Sequence, residues 1–468
     1  MSYSRRVSRA SLVRRISLSV AVLIVVAVVV ATVVGVSLVR RSFPQTSGDL
    51  AVSGLTSKVT VLRDDRGVPQ IYADNPQDLF RAQGFVAAQD RFFEMDLRRH
   101  ITAGRLSEMI GKDGLETDKV IRTMGWRKVA EAELPTLAPT TRQYLQAYAD
   151  GVNAYITAAG SPDKMALEYS VLGQRFPDYR VEPWSPADSL AWLKAMAWDL
   201  RGDYDNELTR ARLSGSITPA RFAQIFPPYP IDSHQPILSS SDWSPRAATS
   251  TQNAAPVVSG VQPVPAAAYL PSAEAEKSAR AVYAGVAKVL DQLPVMVGRG
   301  DGIGSNSYVV GPERSSTGKP LLANDPHLGV GIPGVWYQTG LHCRTVSAAC
   351  PFDVTGFSFA GLPGIVIGHN QSIAWGFTNL GPDVSDFYLE QVRGESYRRG
   401  KKYLPLKERT ETIKVAGGRD VTTTVRETVH GPLLSDVVPA VAQAGKSALV
   451  EGKPEITSYD VGNWAKGT

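Results

Sequence analysis

The sequence predicts an α+β protein in which one membrane-crossing helix precedes a mainly helical lobe and then a lobe of short strands. Three observations carry this. Residues 16–39 are 24 consecutive uncharged, mostly aliphatic positions. Between residues 76 and 213 apolar side chains recur at helical spacing, and from residue 305 onward the pattern changes to short alternating runs. A chain of 468 residues, 43% apolar and 20% charged, is long enough to bury a large core in two or more domains.

At about 1.5 Å per residue, the run from Ile16 to Val39 crosses the ~30 Å hydrocarbon core of a bilayer. Five arginines precede it (Arg5, Arg6, Arg9, Arg14, Arg15) and two follow (Arg40, Arg41). The positive-inside rule then puts the N-terminus in the cytoplasm and residue 42 onward outside the cell membrane, as a single-pass protein. A cleaved signal peptide is the competing reading, but the run is long for one and Ser37-Leu38-Val39 is a poor cleavage site. The net charge of +5 falls to 5 − 7 = −2 once these seven arginines are set aside, so composition gives a nucleic-acid partner no support.

Arg41 to Ser53 reads as a polar tether. Lys58–Arg63 and Pro69–Ala73 form a predicted hairpin around the turn Asp64–Gly67. Pro76–His100 is a predicted buried helix capped by Asn75, and further helices are expected over Lys119–Glu133, Thr140–Ala159 and Ser185–Leu213. Ser239–Ser272, rich in Ser, Ala, Pro, Thr and Val, is a spacer that cannot readily close a core. A helix-like run over Ala273–Leu293 follows, and then the glycine-rich stretch from Gly298 to Gly304. Strands are expected at Ser307–Val310, Pro320–Leu322, Gly364–Ile367 and Asp386–Val392, with an alternating ribbon over Glu411–Val429. The divisions are thus 1–41 (arginine-rich tail and anchor), 42–238 (helical region), 239–304 (spacer and junction) and 305–468 (β-rich region).

Cys343 and Cys350 lie in a segment expected outside the membrane, where a local disulfide persists. Two free thiols are the alternative, and with only His342 nearby a zinc site is unconvincing. No Gly-x-Ser-x-Gly elbow occurs, and Gly311–Lys319 fails as a phosphate loop because its glycines are misplaced and Pro320 follows. Arg299-Gly300-Asp301 matches an adhesion tripeptide that arises often by chance. Ser305 follows the glycines directly. A serine at the start of a chain needs no histidine, because its own α-amine, of pKa about 7.7–8.0, serves as base, but a peptide bond must first be cut before it.

Several blocks in order bear on that possibility. Val61-Leu62-Arg63-Asp64-Asp65-Arg66-Gly67-Val68-Pro69-Gln70-Ile71-Tyr72-Ala73, the run Ala82–Arg91 and Gly104–Glu108 precede the spacer. Gly304–Gly311, Ala323-Asn324-Asp325-Pro326-His327-Leu328, Gly368-His369-Asn370 and Ile373–Gly376 follow it. Together they resemble the penicillin acylase family of N-terminal nucleophile (Ntn) hydrolases, over about residues 55–468 apart from the spacer.

The resemblance implies an αββα sandwich and a precursor that cuts itself between Gly304 and Ser305, leaving light and heavy chains associated as a heterodimer. It implies Ser305 as nucleophile and amine base, Asn379 as the backbone N–H donor to the oxyanion, and His327 near the nucleophile, orienting the amine or donating to the oxyanion. Read alone, His327 is a turn residue after Pro326. The resemblance also implies structural Ca²⁺ held by Glu207, Asp383, Asp386 and the Ser385 carbonyl, oxygen donors that suit a hard ion. Substrates of the class are small N-acyl amides such as a β-lactam, an acyl-homoserine lactone or an acylated amino acid.

Family members continue beyond Thr468, through a further oxyanion asparagine and more calcium ligands, so the expectation is a fragment or a truncated, inactive product. A noncatalytic membrane-tethered binding protein is the alternative from another class. Met196 and Leu328 are candidates to line an acyl pocket, with core packing the plainer role.

Overall fold

The computed structural model describes residues 9–200, 218–228, 233, 304–380, 387–437 and 453–458. The spacer and the helix-like run before the glycines, together with Glu207, Asp383, Ser385 and Asp386, lie outside the described residues.

Helix α1, Arg9–Arg40, contains a 24-residue stretch, Ser17–Arg40, that is long and apolar enough to cross a membrane and has none of its most apolar window buried. The stretch after it is exposed along most of its length but is held to the helical lobe at a few points. Arg41 pairs with Asp163 at 2.9 Å, Gln89 Nε2 donates to the Gln45 carbonyl at 2.9 Å, and Val52 packs against the buried cluster around Phe85 and Tyr155. Polar composition had suggested a loose linker. These specific partners, all on later helices, are invisible to composition.

Strands β1 (Thr60–Arg63) and β2 (Pro69–Ala73) form the predicted antiparallel hairpin. Its turn is closed by Asp64, whose carboxylate accepts from the Arg66 and Val68 amides at 3.0 and 2.8 Å. Helix α2, Pro76–Thr102, starts at Asn75, whose side chain accepts from the Asp78 amide, and it kinks at Arg91.

Two short helices come next: α3 (Ser107–Ile110) and α4 (Leu115–Met124). The expected helix Lys119–Glu133 is two helices, α4 and α5 (Trp126–Glu133), because Gly125 takes a left-handed φ of 77° that ends the first. Then come α6 (Pro139–Ala159), the short α7 (Pro162–Met165) and α8 (Glu168–Arg175), and α9 (Pro186–Leu200).

Among the described residues from Gly304 on, regular structure consists of strands and two short 3₁₀ turns. These strands are β3 (Gly304–Val310), β4 (Leu321–His327), β5 (Trp336–Cys343), β6 (Asp353–Phe359), β7 (Ile367–His369), β8 (Ala374–Trp375), β9 (Phe387–Arg393), β10 (Ser396–Arg399), β11 (Lys402–Pro405), β12 (Lys407–Ile413), β13 (Val421–Glu427) and β14 (Lys453–Ser458). They make a six-stranded sheet ordered β1-β2-β5-β6-β7-β8, a four-stranded sheet β11-β10-β9-β14, and the pairs β12-β13 and β3-β4. The protein is thus a mixed helix-and-sheet fold.

The six-stranded sheet joins the two halves of the chain. Strand β2 runs parallel to β5, with Ile71 opposite Leu341 and Ala73 opposite Cys343. Ile71, Ala73, Leu341 and Cys343 bury one face against Leu79, Phe80 and Val86 of α2 and Ala147 of α6. Helices α2 and α6 cross closely enough that a Cβ on Gly84 would stand 2.1 Å from the Tyr148 carbonyl oxygen, which only glycine avoids. A second cluster gathers Trp126, Trp192 and Trp198 of the helical half with Val335, Phe359 and Leu362 of the β-rich half. Met196 and Leu328 both pack against it, which is the core role. Cys343 and Cys350 are joined as a disulfide.

Candidate active site

Ser305 is the second residue of β3, half-buried and paired across the ribbon with Pro326 of β4, while Gly304 pairs with His327. The strand continues through Pro326, which offers the ladder no N–H, so β4 is longer than the expected Pro320–Leu322. The His327 ring lies beside Gly304: a Cβ on that glycine would stand 4.0 Å from Nδ1. His327 Nε2 is 2.8 Å from the Asp325 carboxylate. A carboxylate only accepts, so Nε2 carries the proton, and in the neutral ring Nδ1, on the Gly304 side, is the bare nitrogen. The imidazole is 38% exposed.

The segment carrying Asn379 is held to this ribbon by one side chain. Asn324 Nδ2 donates to the Asn306 carbonyl at 3.1 Å and to the Phe377 carbonyl at 3.0 Å, and its Oδ1 accepts from the Phe377 amide at 3.2 Å. Residues 376–377 are thereby fixed against the residue that follows Ser305. A Cβ on Gly376 would stand 2.6 Å from the Asn324 side chain, so the approach requires glycine. Asn379 Nδ2 in turn donates to the Leu200 carbonyl at 2.6 Å, tying the same segment to the end of α9. Sequence reading placed Asn324 and Asp325 inside a characteristic block without giving them roles. Their position two and three residues before His327 was the available signal.

The halves on either side of residues 239–303 are held by many bonds besides β2–β5. Gln83 exchanges two bonds with Gly364, at 3.0 and 2.9 Å. Tyr148 accepts from the Gly361 amide at 3.0 Å, and Arg344 reaches Lys58, Thr60 and Asp74. Tyr337 donates to Asp90 at 2.7 Å, and the same carboxylate pairs with Arg63 at 2.9 Å. Burial first, and then the Asp90 charge, push the Tyr337 hydroxyl well above its ordinary value, so it stays a donor.

Among the described residues no group of three or more His, Cys, Asp or Glu side chains forms a metal cluster. A cavity of about 280 Å³ lies under residues 45–55, lined in part by Leu50, Val52, Val61, Phe85 and Gln89, and no predicted site residue lines it.

The family model described as penicillin amidase matches residues 58–461. The chain belongs to the penicillin amidase family. The acyl-homoserine lactone acylase QuiP of Pseudomonas aeruginosa is 32% identical over 401 residues, 85% of this chain and 42% of that protein. Penicillin acylase 2 proenzyme of a Pseudomonas species is 33% identical over 402 residues, 84% of this chain and 46% of that protein. A solved chain of thermostable penicillin G acylase from Alcaligenes faecalis is 28% identical over 33% of this chain and 25% of that one, with a TM-score of 0.27, so the fold rests on the chain's own elements. The chain spans about half the length of the curated relatives it matches. Membership of the penicillin amidase family bears out the resemblance read from the ordered blocks.

Proposed function

We propose that this member of the penicillin amidase family is a self-processing amide hydrolase that removes the acyl group from a small N-acyl substrate, with Ser305 as the nucleophile. The observation that carries the proposal is the β3–β4 ribbon, which opens on Gly304-Ser305 directly opposite His327-Pro326. Cleavage between Gly304 and Ser305 frees the serine amine. That amine takes the Oγ proton as Oγ attacks the acyl carbonyl, and the oxyanion is met by the Asn379 amide. The leaving amine departs with the proton, and water then releases the acyl group from Oγ. His327 Nδ1, on the Gly304 side, suits a proton acceptor that orients the amine.

The bonds between residues 58–148 and residues 337–364 support the two-chain reading, because they hold the pieces together once residues 239–304 no longer link them. A penicillin acylase proenzyme among the relatives is consistent with a processed precursor, and the Ntn sandwich is proposed as the frame into which these strands fit.

Calcium is proposed at Glu207, Asp383, Ser385 and Asp386. The Asn379–Leu200 bond brings together the two segments from which these residues leave, seven residues after Leu200 and four after Asn379. Three carboxylates and one carbonyl form the all-oxygen set a hard cation prefers, and the ion would tie the two segments together.

Helix α1 supports an anchored protein with its N-terminus in the cytoplasm and residues 42 onward outside. The relatives' names point to β-lactam or acyl-homoserine lactone amides as first substrates to assay. Turnover of a chromogenic phenylacetyl or long-chain acyl amide, lost in Ser305→Ala, tests the proposal. No turnover by the protein expressed from its complete reading frame leaves a noncatalytic binding protein instead.

A further inference from the structure

We infer that the α7–α8 corner of the helical lobe rests on the outer leaflet of the membrane, with Leu167 and Val171 in contact with lipid. This rests on the reading of α1 as a membrane anchor. Arg41, the first residue beyond α1, marks the level at which the chain leaves the bilayer, and its guanidinium is paired with Asp163 of α7 at 2.9 Å. The stretch that follows is bonded to Gln89 through the Gln45 carbonyl, and the partly buried Val52 packs against the cluster around Phe85, so the chain stays against the lobe after it leaves the anchor.

From Asp163 the chain enters α8, which has two dissimilar faces. Tyr169 is buried and Leu172 packs beside it. On another face Leu167 and Val171, one turn apart, are 40% and 67% exposed. Lys164 near the end of α7 and Arg175 at the end of α8 flank these residues in the chain; both are exposed, and Arg175 stands 3.5 Å from the exposed Asp113. Apolar residues flanked by basic ones are the composition of helices that lie in a bilayer interface, where the aliphatic side chains enter the acyl boundary and the cations meet phosphates.

Leu167 and Val171 lie four and eight residues beyond Asp163, across the extended residue Ala166 that separates α7 from α8, so the stripe begins close to the residue that holds the end of the anchor. Phe43, 64% exposed, lies two residues beyond Arg41, at the depth where aromatic residues concentrate. The partner is a lipid surface rather than a protein, because the ion pair to the end of the anchor sets this stripe beside the bilayer.

The test uses the complete protein reconstituted into phosphatidylethanolamine–phosphatidylglycerol vesicles containing lipid spin-labelled near the headgroup. Val171→Cys and, separately, Gly173→Cys carry a fluorophore; Cys343 and Cys350 are consumed in their disulfide and do not react. Position 173 is on the same helix about 200° away, is exposed, and a Cβ there meets nothing. Flotation with the vesicles reports the anchor. In floated protein the probe at 171 is expected to be quenched several-fold more than the probe at 173. Equal quenching, or none, in floated protein overturns the docking while leaving the anchor intact. Protein that fails to float removes the anchor and the docking with it.

Discussion

Asn324 bonds both main-chain polar groups of Phe377 while also holding the Asn306 carbonyl, so one amide side chain fixes the segment leading to Asn379 against the residue after Ser305. Alanine at 324 removes all three bonds and loosens the segment that carries Asn379, the proposed oxyanion donor. Misplacement by about 1 Å costs on the order of 100-fold in rate. Asn324→Ala is therefore expected to lower kcat by about 10- to 100-fold with circular dichroism unchanged. A wild-type kcat would show that the clamp is not needed.

Asp325 fixes the His327 tautomer through its bond to Nε2. Its side chain is 74% exposed, so replacing it disturbs no core. Asp325→Ala is expected to slow processing and turnover about tenfold, the worth of one charge-assisted hydrogen bond, without changing the urea midpoint. A change in stability with no change in rate would assign Asp325 a purely structural role.

Local signals in the sequence captured elements whose partners are near in the chain. Pro69–Ala73 and the Asn75 cap are where their turn and cap chemistry put them. Strands β5 and β6 escaped, because the buried face of β5 includes the polar Thr339 and its other face carries Trp336 and Gly340, so apolar and polar residues do not alternate along it, and its parallel partner β2 lies 270 residues earlier. The contacts of the stretch after α1 were unreadable for a similar reason: its partners Gln89 and Asp163 are distant and individually unremarkable. At the candidate site, Ser305 and His327 were legible as members of ordered blocks. The roles of Asn324 and Asp325 were not, since they depend on a strand register that carries β4 through Pro326.

Asp96 is fully buried and accepts bonds from Tyr169 at 2.5 Å, from Tyr179, and from Arg99 at 2.6 Å. Burial alone would push its carboxyl up, but Arg99, His100 and Tyr169 outweigh that and hold it well below the usual carboxylate range. The folded value lies below the unfolded one of about 3.9, so the stability it contributes is present above that pH and lost as pH falls below it. Asp96→Asn takes its paired carboxylate from the buried Arg99, which keeps only the more weakly acting Asp188 charge, and is expected to cost about 3–5 kcal/mol near neutrality. In urea titrations from pH 6 to pH 3 the gap between wild type and variant should narrow. A gap constant with pH would contradict the assignment.

The Cys343–Cys350 bridge closes a loop of sequence separation 7 beside the buried Ile71, Leu79 and Phe80. Loop-closure entropy for so short a loop is about 2.5 kcal/mol. Cys343→Ala with Cys350→Ala is expected to lower the unfolding free energy by about that amount. Dithiothreitol should destabilise the wild type and leave the double variant unchanged. Equal sensitivity to the reductant in both would remove the bridge from the account.

The central claim is that cutting before Ser305 makes the catalyst. N-terminal sequencing and intact-mass measurement of the active protein, expressed from its complete reading frame, test it most directly. The account predicts a chain beginning Ser305-Asn306-Ser307-Tyr308, absent from Ser305→Ala, which should remain a single inactive precursor. An uncut chain that hydrolyses N-acyl amides would contradict it.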